Sequence, residues 1–172
     1  MNPLSSSEAA MLILIGSFHK LVALIIPLFS LILIPPSGSP VLFAQTQSND
    51  TDQLLEKGEA FYEQGDHVQA IEHYNEILSI DPNHTGAIYD KGLSLDVLGK
   101  HEDAIAHYDM VLSVEPNNIN ALVNKAGALG DLGNYEEAIE HFDRALSLDP
   151  NNDLAIANKK LAESLLSNTT TG

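Results

Sequence analysis

The sequence predicts an all-α protein, a short row of near-identical helical hairpins, and three observations predict it. The stretch "HVQAIEHYNEILSIDPNH" at 67–84 returns as "HEDAIAHYDMVLSVEPNN" at 101–118 and "YEEAIEHFDRALSLDPNN" at 135–152, each thirty-four residues on. Within the copies apolar residues recur at helical spacing, as with Ala70, Tyr74, Ile77 and Leu78, so that they share one face. Each copy is punctuated at fixed places, by Gly65, Gly99 and Gly133 and again by Pro82, Pro116 and Pro150. A fixed period of this length marks a stacked helical array, in which each hairpin buries its apolar face only against a neighbour.

Residues 1–44 divide like a secretory signal, with Lys20 ahead of the apolar run Leu21 to Ile34 and Ala44 at a place suited to cleavage. The whole apolar run 11–34 is also long enough to cross a membrane, so an uncleaved anchor is the alternative. His19, Lys20 and Pro27 interrupt that run and weigh against the anchor. No Lys or Arg follows it before Lys57, and positive-inside reasoning sends the remainder across the membrane under either reading. The repeats are therefore expected to be secreted or extracytoplasmic, or anchored to the membrane with the repeats outside.

Residues 45–50 read as a linker, followed by units at 51–84, 85–118 and 119–152. In each, a first helix carries Leu54, Gly58 and Phe61 or their counterparts at one face, and Gly65 permits the positive φ that ends it. The second helix stops at Pro82, where Asp81 and Asn83 favour a turn. Residues 153–167 start like a fourth unit but carry Lys160 and Glu163 where Gly and an aromatic would sit. They read as a capping helix with a charged outer side, and 168–172 as a flexible tail.

Composition narrows the partners. Twenty-four acidic residues against eight basic give a net charge of −16, and because Glu8 and Lys20 cancel, that charge belongs to the part after residue 44. Such a surface repels phosphate backbones, so nucleic acid is excluded as a partner, and the membrane enters only through the N-terminal segment. There is no cysteine, which removes disulfides, cysteine nucleophiles and thiolate metal sites.

The recurring "G…Y/L…G…A-I…Y/F…L…P" skeleton resembles the tetratricopeptide repeat family from about Thr51 to Asn152. The resemblance implies a right-handed solenoid of helical hairpins, three repeats plus a C-terminal capping helix. It also implies that the first helices line a concave groove that binds peptides or partner proteins, with no catalytic role. Carried onto this chain, the groove would show Leu55, Glu56, Glu59 and Tyr62, then Tyr89, Asp90, Leu93 and Asp96, then Val123, Asn124, Gly127 and Asp131. Family members that grip chaperone C-termini use a clamp of Lys, Arg and Asn. Here Leu55, Glu56, Tyr89 and Asp90 stand where the clamp is needed and only Asn124 fits it, so a terminal carboxylate is not the expected ligand. Aromatics among carboxylates suit a basic or amine-bearing segment instead; the alternative is that the acidity is global and solubilising, and the groove merely shares it. The expected role is that of an interaction scaffold or adaptor outside the cytoplasmic membrane. The alternative is a membrane-tethered accessory or assembly factor for an envelope enzyme or secretion machine. Self-association through an uncapped end is a further expectation.

Other patterns have plainer readings. Lys57, Lys91 and Lys125 share one register and are expected to pair with acidic residues of adjoining helices. His73, His107 and His141 share another, with His67 and His101 at a third. Same-register copies should stand on the order of 10 Å apart, too far for one ion to join them, so they read as packing and no metal or other cofactor is expected. No phosphate loop, "HExxH" or nucleophile setting is present, which leaves no catalytic residue to name. Three N-x-S/T triplets begin at Asn49, Asn83 and Asn168, and are glycosylation candidates if the host modifies exported chains.

Overall fold

The computed structural model describes residues 40–170, with side chains from Asp50 to Thr169. The apolar run 11–34, and with it most of the expected signal or anchor, lies outside the described residues. Seven helices follow one another with no strand among the described residues: α1 Pro40–Glu63, α2 His67–Ile80, α3 Thr85–Val97, α4 His101–Val114, α5 Ile119–Asp131, α6 Tyr135–Leu148 and α7 Asp153–Thr170. None of them is long and apolar enough to cross a membrane.

Three hairpins, α1–α2, α3–α4 and α5–α6, each pack the second helix on the first. Ala70, Tyr74 and Ile77 of α2 are buried beneath Leu54, Leu55, Phe61 and Tyr62 of α1. Ala104 and Tyr108 of α4 meet Leu95 of α3, while Ala138, Phe142 and Ala145 of α6 meet Leu122, Ala126 and Leu129 of α5. The hairpins are joined by one recurring residue. Ala87 belongs to the cluster of the first hairpin, Ala121 to that of Val111 in the second, and Ala155 to that of the third. These alanines are a full period apart and each is the first buried residue of the following unit. They turn three small cores into one continuous core.

The glycine punctuation works as its register predicts. Gly65, Gly99 and Gly133 adopt φ of +80°, +74° and +81°. In the first corner the N–H of Asp66 donates to the Phe61 carbonyl at 2.9 Å and that of Gly65 to Tyr62 at 3.0 Å, the two bonds that close a helix on a left-handed residue. Gly58 and Gly92 have a different reason. A Cβ added there would lie 2.5 Å from Tyr74 Cε1 or 2.9 Å from Tyr108 Cε1, so the tyrosine ring rests on bare backbone.

The proline corners begin the next helix through side-chain caps. His84 Nδ1 accepts from Ala87 N–H at 3.1 Å, Asn118 Oδ1 from Ala121 at 3.0 Å and Asn152 Oδ1 from Ala155 at 3.0 Å. Asn83 is not itself the cap; its N–H donates to Asp81 Oδ1 at 3.0 Å and so tightens the turn before it.

Two boundaries differ from expectation. Helix α1 runs through 45–50, the segment read as a linker, because no Gly or Pro interrupts the chain between Pro40 and Gly58. Helix α7 continues through Asn168 to Thr170, where a loose tail was expected, and Thr169 Oγ1 donates back to the Leu166 carbonyl at 2.7 Å. Polarity alone does not end a helix; a breaker does.

One buried group is out of keeping with its register. Ser94 is fully buried, its hydroxyl meets no partner among the described residues, and the same place in the other units is Ala60, Ala128 and Ala162. Ser94→Ala is expected to raise the unfolding free energy by about 1 kcal/mol, through loss of an unpaired hydroxyl and gain in helix propensity. Urea denaturation followed by circular dichroism measures it, and a destabilised variant would show that the hydroxyl has a role in the core.

Candidate functional site

The first helices of successive units touch, α3 on α5 and α5 on α7, and their outward face carries the residues expected to bind a partner. Eight of those residues fall into three groups. Glu59, Tyr62, Asp90 and Leu93 come together, joined by Glu63 and Tyr74, around a cavity of ≈ 230 Å³ between α1 and α3. Tyr62 is propped edge-on by the His67 ring at 4.9 Å between centroids. Burial and the charge of Glu59 push the Asp90 carboxyl up to about 6 from its ordinary 3.8, against the weaker pull of His84. A carboxyl so placed is short of a positive partner.

Tyr89 and Asn124 form the second group. The Asn124 side-chain amide donates to the Tyr89 hydroxyl at 2.7 Å across adjacent units, and the Tyr89 ring stands 6.0 Å from that of Tyr108. Burial, with Asp90 nearby, pushes the Tyr89 phenol up to about 12. The one clamp-like residue is therefore already engaged.

Gly127 and Asp131 belong to a third region, a cavity of ≈ 160 Å³ between α5 and α7 whose far wall is Leu161 and Leu165. The sequence reading missed these leucines by treating 153–167 only as a cap. Their register would have found them, since Leu161 stands one period after Gly127 and Leu165 one period after Asp131. Glu56 is exposed outside these cavities, and Leu55 is half-buried in the first hairpin's core. Val123 is a correction. It is 4 % exposed and packed with Leu122 and Phe142, so the third unit turns inward a residue that was expected to face a ligand.

Asp96, another expected groove residue, is held by His101, whose Nδ1 lies 2.7 Å from Asp96 Oδ1 and 4.0 Å from Asp131 Oδ2. One ligand atom from each of the three lies within 4.8 Å of the others, a span that a single divalent ion could bridge. Neither same-register copies nor the spacing of His67 and His73 within one unit points to this group, because it draws on three registers and two units. His73, His107 and His141 are engaged by their surroundings. His73 stacks on Phe61 at 5.4 Å, His107 Nδ1 bonds the Asp103 carbonyl at 2.8 Å, and burial and Lys125 push the His141 imidazole below its ordinary value.

The lysine register is structural too, and more buried than a surface pair. Lys125 Nζ donates to Asp109 Oδ1 of the preceding unit at 2.8 Å with its side chain 10 % exposed. Lys159, one period on, donates likewise to Asp143. Lys91 has Asn75 where those partners stand, and burial pushes its ammonium below the ordinary value. Asn75→Asp is therefore expected to supply the missing rung and raise stability by about 0.5–1 kcal/mol at low salt, fading as salt is added. A melting curve with no rise at low salt would contradict it.

Of the glycosylation candidates, Asn83 lies exposed in the first proline corner and Asn168 is exposed on α7. The side chain of Asn49 lies outside the described residues.

A family model described as tetratricopeptide repeat matches residues 52–84 and 119–152. No curated protein matches the sequence. Among solved structures, the first such domain of Spaghetti (RPAP3), bound to the HSP90 peptide SRMEEVD, is similar at a TM-score of 0.67 and 24% identity, covering 70% of this chain and 95% of that one. The Sgt2 domain from Aspergillus fumigatus is similar at a TM-score of 0.67 and 20% identity, covering 81% and 89%. An O-GlcNAc transferase mutant from Thermobaculum terrenum matches at a TM-score of 0.64 and 21% identity, over 67% of this chain but 22% of that one. At such identities the likeness concerns the fold.

Proposed function

From the premise that this chain is a tetratricopeptide repeat protein, we propose that it is a non-catalytic interaction scaffold whose first-helix face binds a basic segment of a partner protein. The observation that carries this is the cavity where Glu59, Glu63 and Asp90 meet the rings of Tyr62 and Tyr74. Three carboxylates, with no Lys or Arg among the described residues that line the cavity, offer a Lys or Arg side chain both charge and an aromatic wall. Burial lifts the Asp90 carboxyl to about 6, and a bound cation would offset that cost and draw it back toward the ordinary carboxylate range.

The contrast with the relative that holds SRMEEVD supports the same reading. An acidic peptide needs basic groups on the binding face. Here Glu56 and Asp90 occupy the clamp places, and Asn124 is bonded to Tyr89. Fluorescence anisotropy with a Lys/Arg-rich peptide and with SRMEEVD tests it. The basic peptide is expected to bind at low salt and to weaken steeply once the Debye length falls below ~10 Å, while SRMEEVD stays free. Absence of basic-peptide binding even at low salt defeats the proposal.

The place of action we propose is outside the cytoplasmic membrane, because the flanking charge of the apolar run 11–34 directs the repeats across. If that run is retained, the scaffold becomes a tethered accessory or assembly factor for an envelope enzyme or secretion machine. N-terminal sequencing of the native protein separates the two, since a chain beginning at Gln45 removes the tether.

A further inference from the structure

The binding face does not stop at the third unit. Leu154, Leu161 and Leu165 lie on one side of α7 at i, i+7 and i+11 and are 56 %, 58 % and 36 % exposed. They occupy the registers that Asn120, Gly127 and Asp131 hold on α5, so the last helix presents to solvent the same face as the first helices before it. A helix serving only to shield the array would be polar there. Leu161 and Leu165 instead wall a cavity of ≈ 160 Å³, and its other side is opened by the missing side chains of Gly127 and Gly130.

We propose that this cavity is a second subsite of the same face, built for an aliphatic side chain, and that the ligand is an extended peptide with a cationic residue at one end and an aliphatic one at the other. The inference rests on the basic-peptide reading given above and adds the second requirement. The two ends differ in chemistry. At the α1–α3 end Glu59, Glu63 and Asp90 supply negative charge; at the α5–α7 end Leu161, Leu165, Phe142 and bare glycine backbone dominate the lining, with Tyr135, Asn158 and a single carboxylate, Asp131, completing it. The cavities are two units apart, roughly 20 Å at ~10 Å per packed helix layer. An extended chain rises about 3.3 Å per residue, which places the two anchors about six residues apart. Complementary charge at one end sets the occupant apart from a second copy of this acidic chain, which would bring its own −16 against the carboxylates.

The test uses the full-length chain and blocked synthetic peptides, acetylated and amidated, with Lys and Leu separated by five Ser/Gly residues in either order. Peptides in which Ser replaces Leu, or Leu stands only two residues from Lys, are the controls. The widely spaced Lys–Leu peptide, in one of its orders, is expected to bind about tenfold more tightly than its Lys–Ser counterpart, the gain for burying one leucine side chain. Leu161→Ser with Leu165→Ser should remove that gain and leave Lys–Ser binding unchanged, with helicity retained because both positions are exposed. Equal binding of the Lys–Leu and Lys–Ser peptides overturns the second subsite and leaves the basic-peptide reading standing. Failure of every Lys peptide at low salt overturns both. A dimer in sedimentation that becomes monomeric in the double variant, with no contribution from the peptide leucine, also overturns the proposal, because another copy then covers the leucines.

Discussion

Asp90→Asn is expected to make the folded protein more stable at neutral pH and a poorer binder of basic peptides. In the folded chain burial and Glu59 raise the Asp90 carboxyl from 3.8 to about 6. The native state therefore holds a proton that the unfolded chain has already released, and stability falls as pH rises through that window. Below about pH 4 both states are protonated and the carboxyl costs nothing; above about pH 6 the cost is complete. The full shift would correspond to about 3 kcal/mol, and because the group is partly reached by solvent the expected gain from Asn is about 1–2 kcal/mol. Urea curves for both proteins should coincide near pH 4 and separate by about pH 7.5, with Asn the more stable. Curves with the same offset at both pH values would mean that Asp90 ionises as it would in water. The binding assay should move the opposite way, with a Lys/Arg-rich peptide weakened by about tenfold on loss of its buried charge partner. A residue that lowers stability and raises affinity belongs to the working face more than to the scaffold.

What could be read in advance follows the same division. The scaffold was legible because one requirement is written three times. Tyr74, Tyr108 and Phe142 recur at one register, and they are 1 %, 0 % and 1 % exposed. Gly65, Gly99 and Gly133 recur at another and all adopt positive φ. The proposed binding face obeys no such repetition, since its positions hold Glu59, Leu93 and Gly127 at a single register. Register indicated where that face lies, yet not how far each side chain turns outward. Val123 is buried in the same cluster as Leu122 and Ala126, where its register-mates Leu55 and Tyr89 are only half-buried. Leu161 and Leu165 escaped notice for a related reason. The α7 sequence had lost its Gly and aromatic, and those are packing residues whose loss says nothing of the opposite face. The Asp96–His101–Asp131 group could be found only by folding the chain, because Asp131 comes from the next unit at a neighbouring register.

Tyr108→Ala is expected to unfold the array, and Tyr108→Phe to strengthen it. Tyr108 is fully buried in the middle hairpin, resting on the Gly92 backbone and packed with Leu95 and Ala104. Deleting a buried aromatic ring costs about 3–5 kcal/mol, a large share of the 5–15 kcal/mol that holds a typical domain together. The position in the row makes the loss worse. Helix α4 is packed on both α3 and α5, so the cavity weakens the coupling of the first hairpin to the third as well as the hairpin that contains it. Thermal denaturation by circular dichroism should show a collapsed or broadened transition for Tyr108→Ala. The conservative change isolates the hydroxyl, which is buried with no hydrogen-bond partner among the described residues while burial and Asp96 hold its pKa far above the ordinary phenol value. The third unit already uses Phe142 at that register. Tyr108→Phe should therefore gain about 1 kcal/mol by removing an unpaired polar group from the core. If Phe is instead destabilising by that amount, the hydroxyl has a partner in solution, and the middle hairpin is held by a polar contact as well as by apolar stacking.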